Sequence, residues 1–157
     1  MSTKFTKHAM DFDPPAPLTV LLQTASRWVM QGLIAELKTK SYTGLTESHL
    51  VLLGNLDCGS TYASAVAQRI GLTRQAIYRT VKEMEALGFL SLHDDPLRRN
   101  QKLVLMTETG MQLALDARDA LSRLEATLGH RIGKDALAAF RNALQQGWGD
   151  IGQTASP

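Results

Sequence analysis

The sequence has little cysteine and no long apolar run. Cys58 is the single cysteine, so an internal disulfide is excluded. No segment approaches the roughly 20 apolar residues that span a bilayer, and the first residues carry no apolar stretch of signal-peptide length. These absences exclude a disulfide scaffold and a membrane-spanning protein, and we expect a cytoplasmic protein.

Motifs for catalysis and for metal binding are also missing. The histidines are scattered along the chain, at His8, His49, His93 and His130. None of them forms an H-E-x-x-H pattern, and one cysteine cannot form a C-x-x-C pair. A glycine-rich phosphate loop and a G-x-S-x-G elbow are absent as well. We therefore expect no catalytic residues, no metal site and no cofactor, and the protein is not predicted to be an enzyme.

Net charge is low, but it is unevenly distributed. The formal charge is +2 over 157 residues, of which 44% are hydrophobic, enough to bury one sizeable core. Between Ser60 and Leu105 there are seven basic and four acidic residues, whereas the rest of the chain is slightly acidic. This concentration of positive charge in the middle third favours a local phosphate-binding surface.

The middle third contains one well-marked amphipathic helix, between Leu72 and Leu90. Thr73 can cap its first turn, and Gly88 stands where a helix can end in the left-handed conformation. One face repeats apolar residues at intervals of three and four and is predicted to be buried: Ile77, Val81, Met84 and Leu87. The other face carries long donors that can reach phosphates and base edges: Arg74, Gln75, Tyr78, Arg79 and Lys82.

Three helices are predicted before it. The first runs from Leu18 to about Lys40, and the second is capped by Thr46 and extends to Leu56. A third helix is predicted to begin at Ser60 or Thr61 and to stop at Gly71, leaving only a tight turn before Thr73. Two helices joined in this way are typical of a helix-turn-helix, in which the second helix enters the major groove.

After Gly88 the apolar pattern changes from helical to alternating. A β-hairpin is predicted from Phe89 to Leu92 and from Gln101 to Met106, with Leu103 and Leu105 on one face. Its turn carries the basic pair Arg98 and Arg99, so the hairpin resembles a wing beside the helix. Thr107 can then cap a long helix to Gly129, and a last helix is predicted over 135–148.

The predicted fold is therefore mainly α with a small β-hairpin wing. We divide the chain into an N-terminal arm at 1–17, a first helix at 18–45, a winged helix-turn-helix region at 46–106 and C-terminal helices at 107–157; the family resemblance described below assigns the first and the C-terminal helices to dimerisation. The arm is proline-rich and is predicted to be extended, either as a free tail or packed on a partner subunit. The apolar stripe of the first helix is broad, which a subunit interface would explain; packing within the monomer is the alternative.

The segments GLTRQAIYRTVKEMEALGFL and LVLMTETG, in this order of elements, resemble the MarR family of winged-helix transcription regulators. The likeness extends from Leu18 to Trp148. It implies a homodimer formed by the first, fifth and sixth helices, which binds a pseudo-palindromic operator in double-stranded DNA. It also implies a repressor released by a small-molecule effector. Gln75, Ala76 and Arg79 match base-proximal positions of the family.

The wing departs from the family pattern P-x-D-R-R. The corresponding residues are Pro96-Leu97-Arg98-Arg99-Asn100, with arginine in place of the aspartate and asparagine in place of the second arginine. A slip of one residue would instead retain Arg98 and Arg99 as the arginine pair. Which arginine enters the minor groove stays open between these two alignments.

The candidate DNA-binding residues lie on the helix and the wing: Thr73, Arg74, Gln75, Ala76, Tyr78, Arg79, Lys82, Arg98 and Arg99. Glu83 and Glu85 lie further along the helix, where it is expected to leave the groove. One alternative is a solvated helix face with a charged loop. Another is a winged-helix module that uses the face around Tyr78 to bind protein and does not bind DNA.

The resemblance also implies an effector site where the first two helices meet the fifth, and the methionine and aromatic residues expected there are compatible with an aromatic or phenolic effector. The candidate pocket residues are Trp28, Tyr42, His49 and Met111, with Met30 beside them. Ordinary core packing is the alternative for all of them. A redox switch at Cys58 is a further alternative. Cys58 has no adjacent basic residue and no resolving cysteine, so we interpret it as an ordinary small residue.

Overall fold

Six helices and a three-stranded antiparallel sheet make up the described part of the computed structural model, which comprises residues 15–57, 60–96, 98 and 101–147. In chain order the elements are α1 (Leu18–Thr39), α2 (Glu47–Leu53), β1 (Ser60–Tyr62), α3 (Ala63–Ile70), α4 (Arg74–Ala86), β2 (Leu90–Asp94), β3 (Lys102–Met106), α5 (Glu108–Ile132) and α6 (Lys134–Gln145). Most of the predicted arm, Cys58, Arg99 and Trp148 lie outside the described residues.

The start of the third helix was predicted wrongly. Ser60–Tyr62 is a strand, β1, and α3 begins only at Ala63. β1 pairs antiparallel with β3, with Thr61 opposite Val104, so that the sheet has the order β1-β3-β2. Thr61 and Tyr62 are β-branched and aromatic, residue types that suit a strand. The long-range pairing with β3 decides the conformation, and no local pattern reveals it.

The hairpin is present, and Val104 is its most buried residue on β3. Leu103 and Leu105 do share a face, and both are only half-buried, whereas Val104 between them is 1% exposed. Val104 lies opposite Leu92 in the register of β2 and β3. Cross-strand partners lie on the same face of a sheet, so this pair faces the helices.

The buried face of α4 is largely as predicted. Ile77, Val81 and Met84 are buried in the core, together with residues of α1, α2, α5 and the sheet. Leu87 is the exception, since it remains 39% exposed. The helix ends at Ala86, and Gly88 turns the chain with a φ of 81°, so Leu87 is left at the surface beside Gly44.

Side-chain caps occur at the three predicted threonines. The Thr73 hydroxyl accepts a hydrogen bond from the Ala76 amide at 3.2 Å, and the Thr107 hydroxyl accepts one from the Gly110 amide at 3.0 Å. The Thr46 hydroxyl accepts from the His49 amide at 3.4 Å, while the Thr46 amide donates to His49 Nδ1 at 3.2 Å. Each cap satisfies an amide that the first helical turn leaves unpaired.

The junction between the wing and α5 explains the T-x-x-G part of the LVLMTETG segment. The Thr107 hydroxyl donates to the Gly88 carbonyl at 2.6 Å, and the Thr107 amide donates to the Phe89 carbonyl at 3.1 Å. A Cβ atom on Gly110 would lie 2.0 Å from that same Phe89 oxygen. Only glycine allows α5 to approach the backbone at this point.

The C-terminal helices differ in extent from the prediction. α5 continues past Gly129 to Ile132, and Gly133, with a φ of 92°, separates it from α6. α6 ends at Gln145, and none of its residues is buried. Among the described residues, no helix has both the length and the apolar composition needed to span a membrane.

Candidate nucleic-acid interface

The predicted contact residues of α4 form one exposed face. Thr73, Arg74, Gln75, Ala76, Tyr78, Arg79 and Lys82 are all exposed. Three- and four-residue intervals place the side chains of Arg74, Gln75, Tyr78, Arg79 and Lys82 along the side opposite Ile77 and Val81. The Arg79 side chain is 83% exposed and that of Lys82 is 48% exposed. The Lys82 ammonium lies 5.8 Å from the centre of the Tyr78 ring.

A cleft beside this face connects it to the wing. Its volume is about 390 Å³, and it lies between the start of α3, α4 and β3. The lining residues are mostly polar or basic: Ala63, Ser64, Arg74, Gln75, Tyr78, Gln101 and Lys102. Ser64, Gln101 and Lys102 were missed from the sequence. Lys102 could have been noticed as a cation at the start of a wing strand, but Ser64 carries no such signal.

Two carboxylates contact the basic face directly. Arg79 Nε donates to Glu83 Oε1 at 3.0 Å, and Lys82 Nζ donates to Glu85 Oε2 at 2.7 Å. The hydrogen bond from Arg79 and then that from His49 lower the pKa of Glu83. The bond from Lys82 lowers the pKa of Glu85, and Glu85 raises the pKa of Lys82. Glu83, Glu85 and Lys82 therefore carry their charges at neutral pH.

The wing holds Arg98 against the first strand. The guanidinium of Arg98 lies 5.4 Å from the centre of the Tyr62 ring, a cation–π distance. The Tyr62 hydroxyl donates to Asp95 Oδ2 at 2.5 Å, and this bond raises the pKa of Tyr62. Tyr62 was missed because it contacts the wing only through the pairing of β1. Asp95 therefore contacts Arg98 indirectly, because it binds the hydroxyl of the tyrosine on which the guanidinium lies.

The four candidate effector residues do not meet around one described cavity. Trp28 lines an apolar groove between α1, α5 and α6, where the Arg131 guanidinium lies 5.7 Å from its ring. Met111 on α5 is 52% exposed. His49 is buried, and both of its ring nitrogens bind protein groups.

Tyr42 lines a separate cleft of about 410 Å³, between the α1–α2 connection and the start of α5. Its hydroxyl donates to Asp116 Oδ2 at 2.7 Å, and Lys40 Nζ donates to Asp116 Oδ1 at 2.5 Å. Burial, followed by the hydrogen bond to Asp116, raises the pKa of Tyr42 to about 12. The ring centres of Tyr42 and Phe89 are 6.0 Å apart. Tyr42 thereby connects α1, α5 and the wing.

Metal coordination has no candidate site within the described ranges. No group of three or more histidine, aspartate or glutamate side chains is placed there to hold an ion.

Sequence comparison gives distant relatives. No family model matches the sequence. An uncharacterized protein of Mycobacterium tuberculosis is 24% identical over 103 residues, which cover 66% of this chain and 72% of the relative. A protein of Mycobacterium bovis matches with the same identity and coverage.

Structural comparison is more informative. A crystal structure of MarR superposes with a TM-score of 0.71 at 22% identity, covering 82% of this chain and 93% of that one. A MarR-family transcriptional regulator of Rhodococcus sp. RHA1 gives 0.67 at 24% identity, with 83% and 94% covered. The regulator CouR of Rhodococcus jostii RHA1, bound to p-coumaroyl-CoA, gives 0.65 at 24% identity, with 83% and 90% covered. With its helix order and its three-stranded wing sheet, the chain has the winged-helix fold of the MarR-family transcriptional regulators.

Proposed function

We propose that this chain is a transcriptional regulator that binds double-stranded DNA in a sequence-specific way. The observation that supports this most strongly is the exposed face of α4, where Arg74, Gln75, Tyr78 and Arg79 stand free of the core beside a basic wing. On a winged-helix fold this is the face that enters the major groove. Side chains of this kind contact phosphates and base edges in such grooves.

In this proposal, α4 contacts base edges and the backbone in the major groove, and the wing contacts phosphates or the minor groove. Gln75 and Arg79 read base edges, while Thr73, Arg74, Tyr78 and Lys82 contact the flanking backbone. Lys102 in the cleft adds a further cation near the phosphates. Arg98 and Arg99 contact phosphates or the minor groove from the wing. Phosphate contacts make binding dependent on salt, and base contacts make it dependent on sequence.

A homodimer is part of the same proposal. The groove between α1, α5 and α6 is strongly apolar, with Leu21, Leu22, Trp28, Leu128, Phe140 and Leu144 among its lining residues. α6 has an apolar face and yet no buried residue, so this chain alone leaves that face uncovered. The same surfaces of a second copy would cover both helices about a two-fold axis. Two α4 helices would then reach half-sites about one helical turn apart.

We also propose that a small aromatic or phenolic molecule releases the DNA, so that the protein acts as a repressor. CouR, which has the same fold, binds p-coumaroyl-CoA. In this chain the cleft at Tyr42 lies between α5 and the wing junction, with Phe89 as a second aromatic wall. A ligand there could favour one separation of the two α4 helices, which is a shift of populations and not a reaction.

The test is selection from a random duplex pool, followed by titration of the selected duplex and of a scrambled one at two salt concentrations. We expect a pseudo-palindromic motif, tighter binding of the selected duplex and a fall in affinity with salt. Binding that is independent of both sequence and salt would contradict the proposal and would favour a module that binds protein.

A further inference from the structure

A chain of hydrogen bonds leads from the first turn of α2 to the exposed face of α4. The Thr46 amide donates to His49 Nδ1 at 3.2 Å, and His49 Nε2 lies 3.1 Å from Glu83 Oε2. The other carboxylate oxygen, Glu83 Oε1, accepts from Arg79 Nε at 3.0 Å. A buried histidine is therefore linked, through one carboxylate, to an exposed cation of the candidate interface.

The first bond determines which nitrogen of His49 carries hydrogen. A backbone amide is always a donor, so Nδ1 must be an acceptor and carry no hydrogen. In the neutral ring the hydrogen is then on Nε2, which donates to Glu83. Because His49 is only 3% exposed and its ring is held by the α2 cap, this donor has a fixed position.

The fixed donor makes Glu83 different from an ordinary surface carboxylate. An exposed ion pair four residues apart on a helix is usually weak, because two long side chains must be ordered to form it. Here His49 orders the carboxylate in advance, and less entropy is lost when Arg79 binds. The hydrogen bonds from Arg79 and His49 lower the pKa of Glu83, which keeps it ionised at neutral pH.

The bond from Nε also determines which edge of the guanidinium faces outward. With Nε turned back toward Glu83, the two terminal Nη atoms form the leading edge of a side chain that is 83% exposed. Two parallel donors match the O6 and N7 acceptors of guanine in the major groove. The adjacent carboxylate offsets part of the arginine charge and so weakens non-specific contacts between Arg79 and backbone phosphates.

We propose that Glu83, held by His49, is the positioning residue that directs the terminal edge of Arg79 toward a guanine of the bound duplex. This rests on the proposed DNA-binding function and assigns the base class that Arg79 reads. Glu83 contacts Arg79 and not the base. It acts by restricting the orientation of the guanidinium. Its negative charge weakens phosphate contacts with every duplex, and only the contact with the guanine compensates for this loss.

The test uses the full-length protein and three duplexes at fixed salt. They are the selected duplex, the same duplex with the guanine sensitive to Arg79→Ala replaced by adenine, and a scrambled duplex. The variants are Glu83→Gln, Glu83→Asp, Arg79→Ala and the double variant of Glu83→Gln with Arg79→Ala. Glu85→Gln is the matched control, because it removes the same charge from α4 at a residue that pairs with Lys82 instead.

We expect Glu83→Gln to reduce discrimination between guanine and adenine about tenfold, within the range for one bidentate arginine–guanine pair, and to tighten binding to the scrambled duplex. Glu83→Asp keeps the charge but shortens the reach, and it should lose discrimination without tightening scrambled binding. In the Arg79→Ala background, Glu83→Gln should not change discrimination. Glu85→Gln should leave discrimination at the parent value.

Equal effects of Glu83→Gln on the affinities for all three duplexes would overturn the positioning role. A change in discrimination between guanine and adenine that persists in the Arg79→Ala background would overturn it too. Glu83 is half-exposed, and thermal unfolding of the variant checks that the fold is retained. If the parent discriminates between the selected and the scrambled duplex but Glu83 does not affect the guanine position, this inference alone fails. If the parent does not discriminate between them, the proposed function fails with it.

Discussion

At the scale of single residues, Gly110 and Arg79 are the two positions whose substitution should have the clearest effects. Gly110 allows the backbone of Phe89 to pass against the first turn of α5, and Arg79 carries the leading donors of the candidate interface. A substitution at Gly110 should therefore change the free energy of unfolding, whereas a substitution at Arg79 should change DNA binding and leave stability unaffected.

Gly110→Ala should destabilise the protein by about 1–3 kcal/mol, the usual result of overpacking. The added Cβ would lie 2.0 Å from the Phe89 carbonyl oxygen, which is backbone and cannot rotate away. Urea unfolding measures the effect. Gly54→Ala is the matched control, because its φ is −69° and its Cβ would lie 3.5 Å from the nearest atom. An unchanged midpoint in Gly110→Ala would contradict the close approach.

Arg79→Ala should lose about 1–3 kcal/mol of operator binding and blur the sequence preference. The loss should be larger for the selected duplex than for a scrambled one, because the contact is with a base and not with the backbone. Fluorescence anisotropy titrations of both duplexes measure it. Arg123→Ala is the control. It removes a cation of α5 that pairs with Glu36 of α1, outside the candidate interface, and should leave both affinities unchanged.

At the scale of elements, the wing and the α1–α2 connection depend on tyrosines that link separate segments. Tyr62 on β1 binds Asp95 and stacks with Arg98, while Tyr42 joins the α1–α2 connection to Asp116 on α5. In both cases a phenol spans two elements that are distant in sequence. The wing and the N-terminal helices are therefore fixed by long-range side-chain contacts as well as by packing.

Neutralising Arg98 or Arg99 should weaken binding to all duplexes alike. Each phosphate that the variant no longer neutralises should reduce the slope of log affinity against log salt by about 1. Phosphate contacts carry no base information, so the preference for the selected duplex should persist. Salt titrations of Arg98→Ala and Arg99→Ala measure this. A loss of preference at one base pair would instead assign that arginine to the minor groove.

The Tyr42–Asp116 pair predicts how stability depends on pH. The pKa of Tyr42 is raised to about 12, so its contribution is complete below the unfolded value of 10 and is lost as pH rises through 12. Asp116 is the opposite case. The hydrogen bonds from Lys40 and Tyr42 lower its pKa, so its contribution is present above 3.8 and is lost as pH falls below that value.

Urea unfolding of the parent and of Tyr42→Phe tests this. The difference between their unfolding free energies should be constant near neutral pH and should shrink between pH 10 and 12. Asp116→Asn should remove part of the acid-induced loss of stability seen in the parent below its unfolded pKa of 3.8. A Tyr42→Phe difference that stayed constant up to pH 12 would show that the phenol titrates normally.

At the scale of the whole molecule, the apolar groove of α1, α5 and α6 is the proposed dimer interface. Phe140→Glu would place a charge in the groove, and burying it unpaired costs about 3 kcal/mol or more. We expect a monomer that binds a single half-site weakly, as measured by sedimentation and by operator titration. Leu115→Glu, at an exposed apolar residue of α5 outside the groove, should remain dimeric. A parent that sediments as a monomer would refute the interface.

The positions of the helices could be predicted from the sequence alone, but the start of α3 and the ends of α2, α5 and α6 were not predicted correctly. Local signals were sufficient wherever structure depends on neighbours in the chain, as at the Thr73 cap, the left-handed turn of Gly88 and the periodicity of Ile77, Val81 and Met84. The basic face of α4 could be predicted for the same reason, because helical spacing determines which side chains share a side.

Features that depend on segments far apart in the chain emerged only from the folded structure. The strand Ser60–Tyr62 exists because β3 supplies its partner, and Tyr62 reaches the wing through that pairing. The Nε2 atom of His49, a residue predicted to line the effector pocket, lies 3.1 Å from Glu83 Oε2, and the two residues are 34 positions apart in the chain. No local pattern records such contacts, since hydrogen bonds and packing between elements arise only once the whole chain has closed around its core.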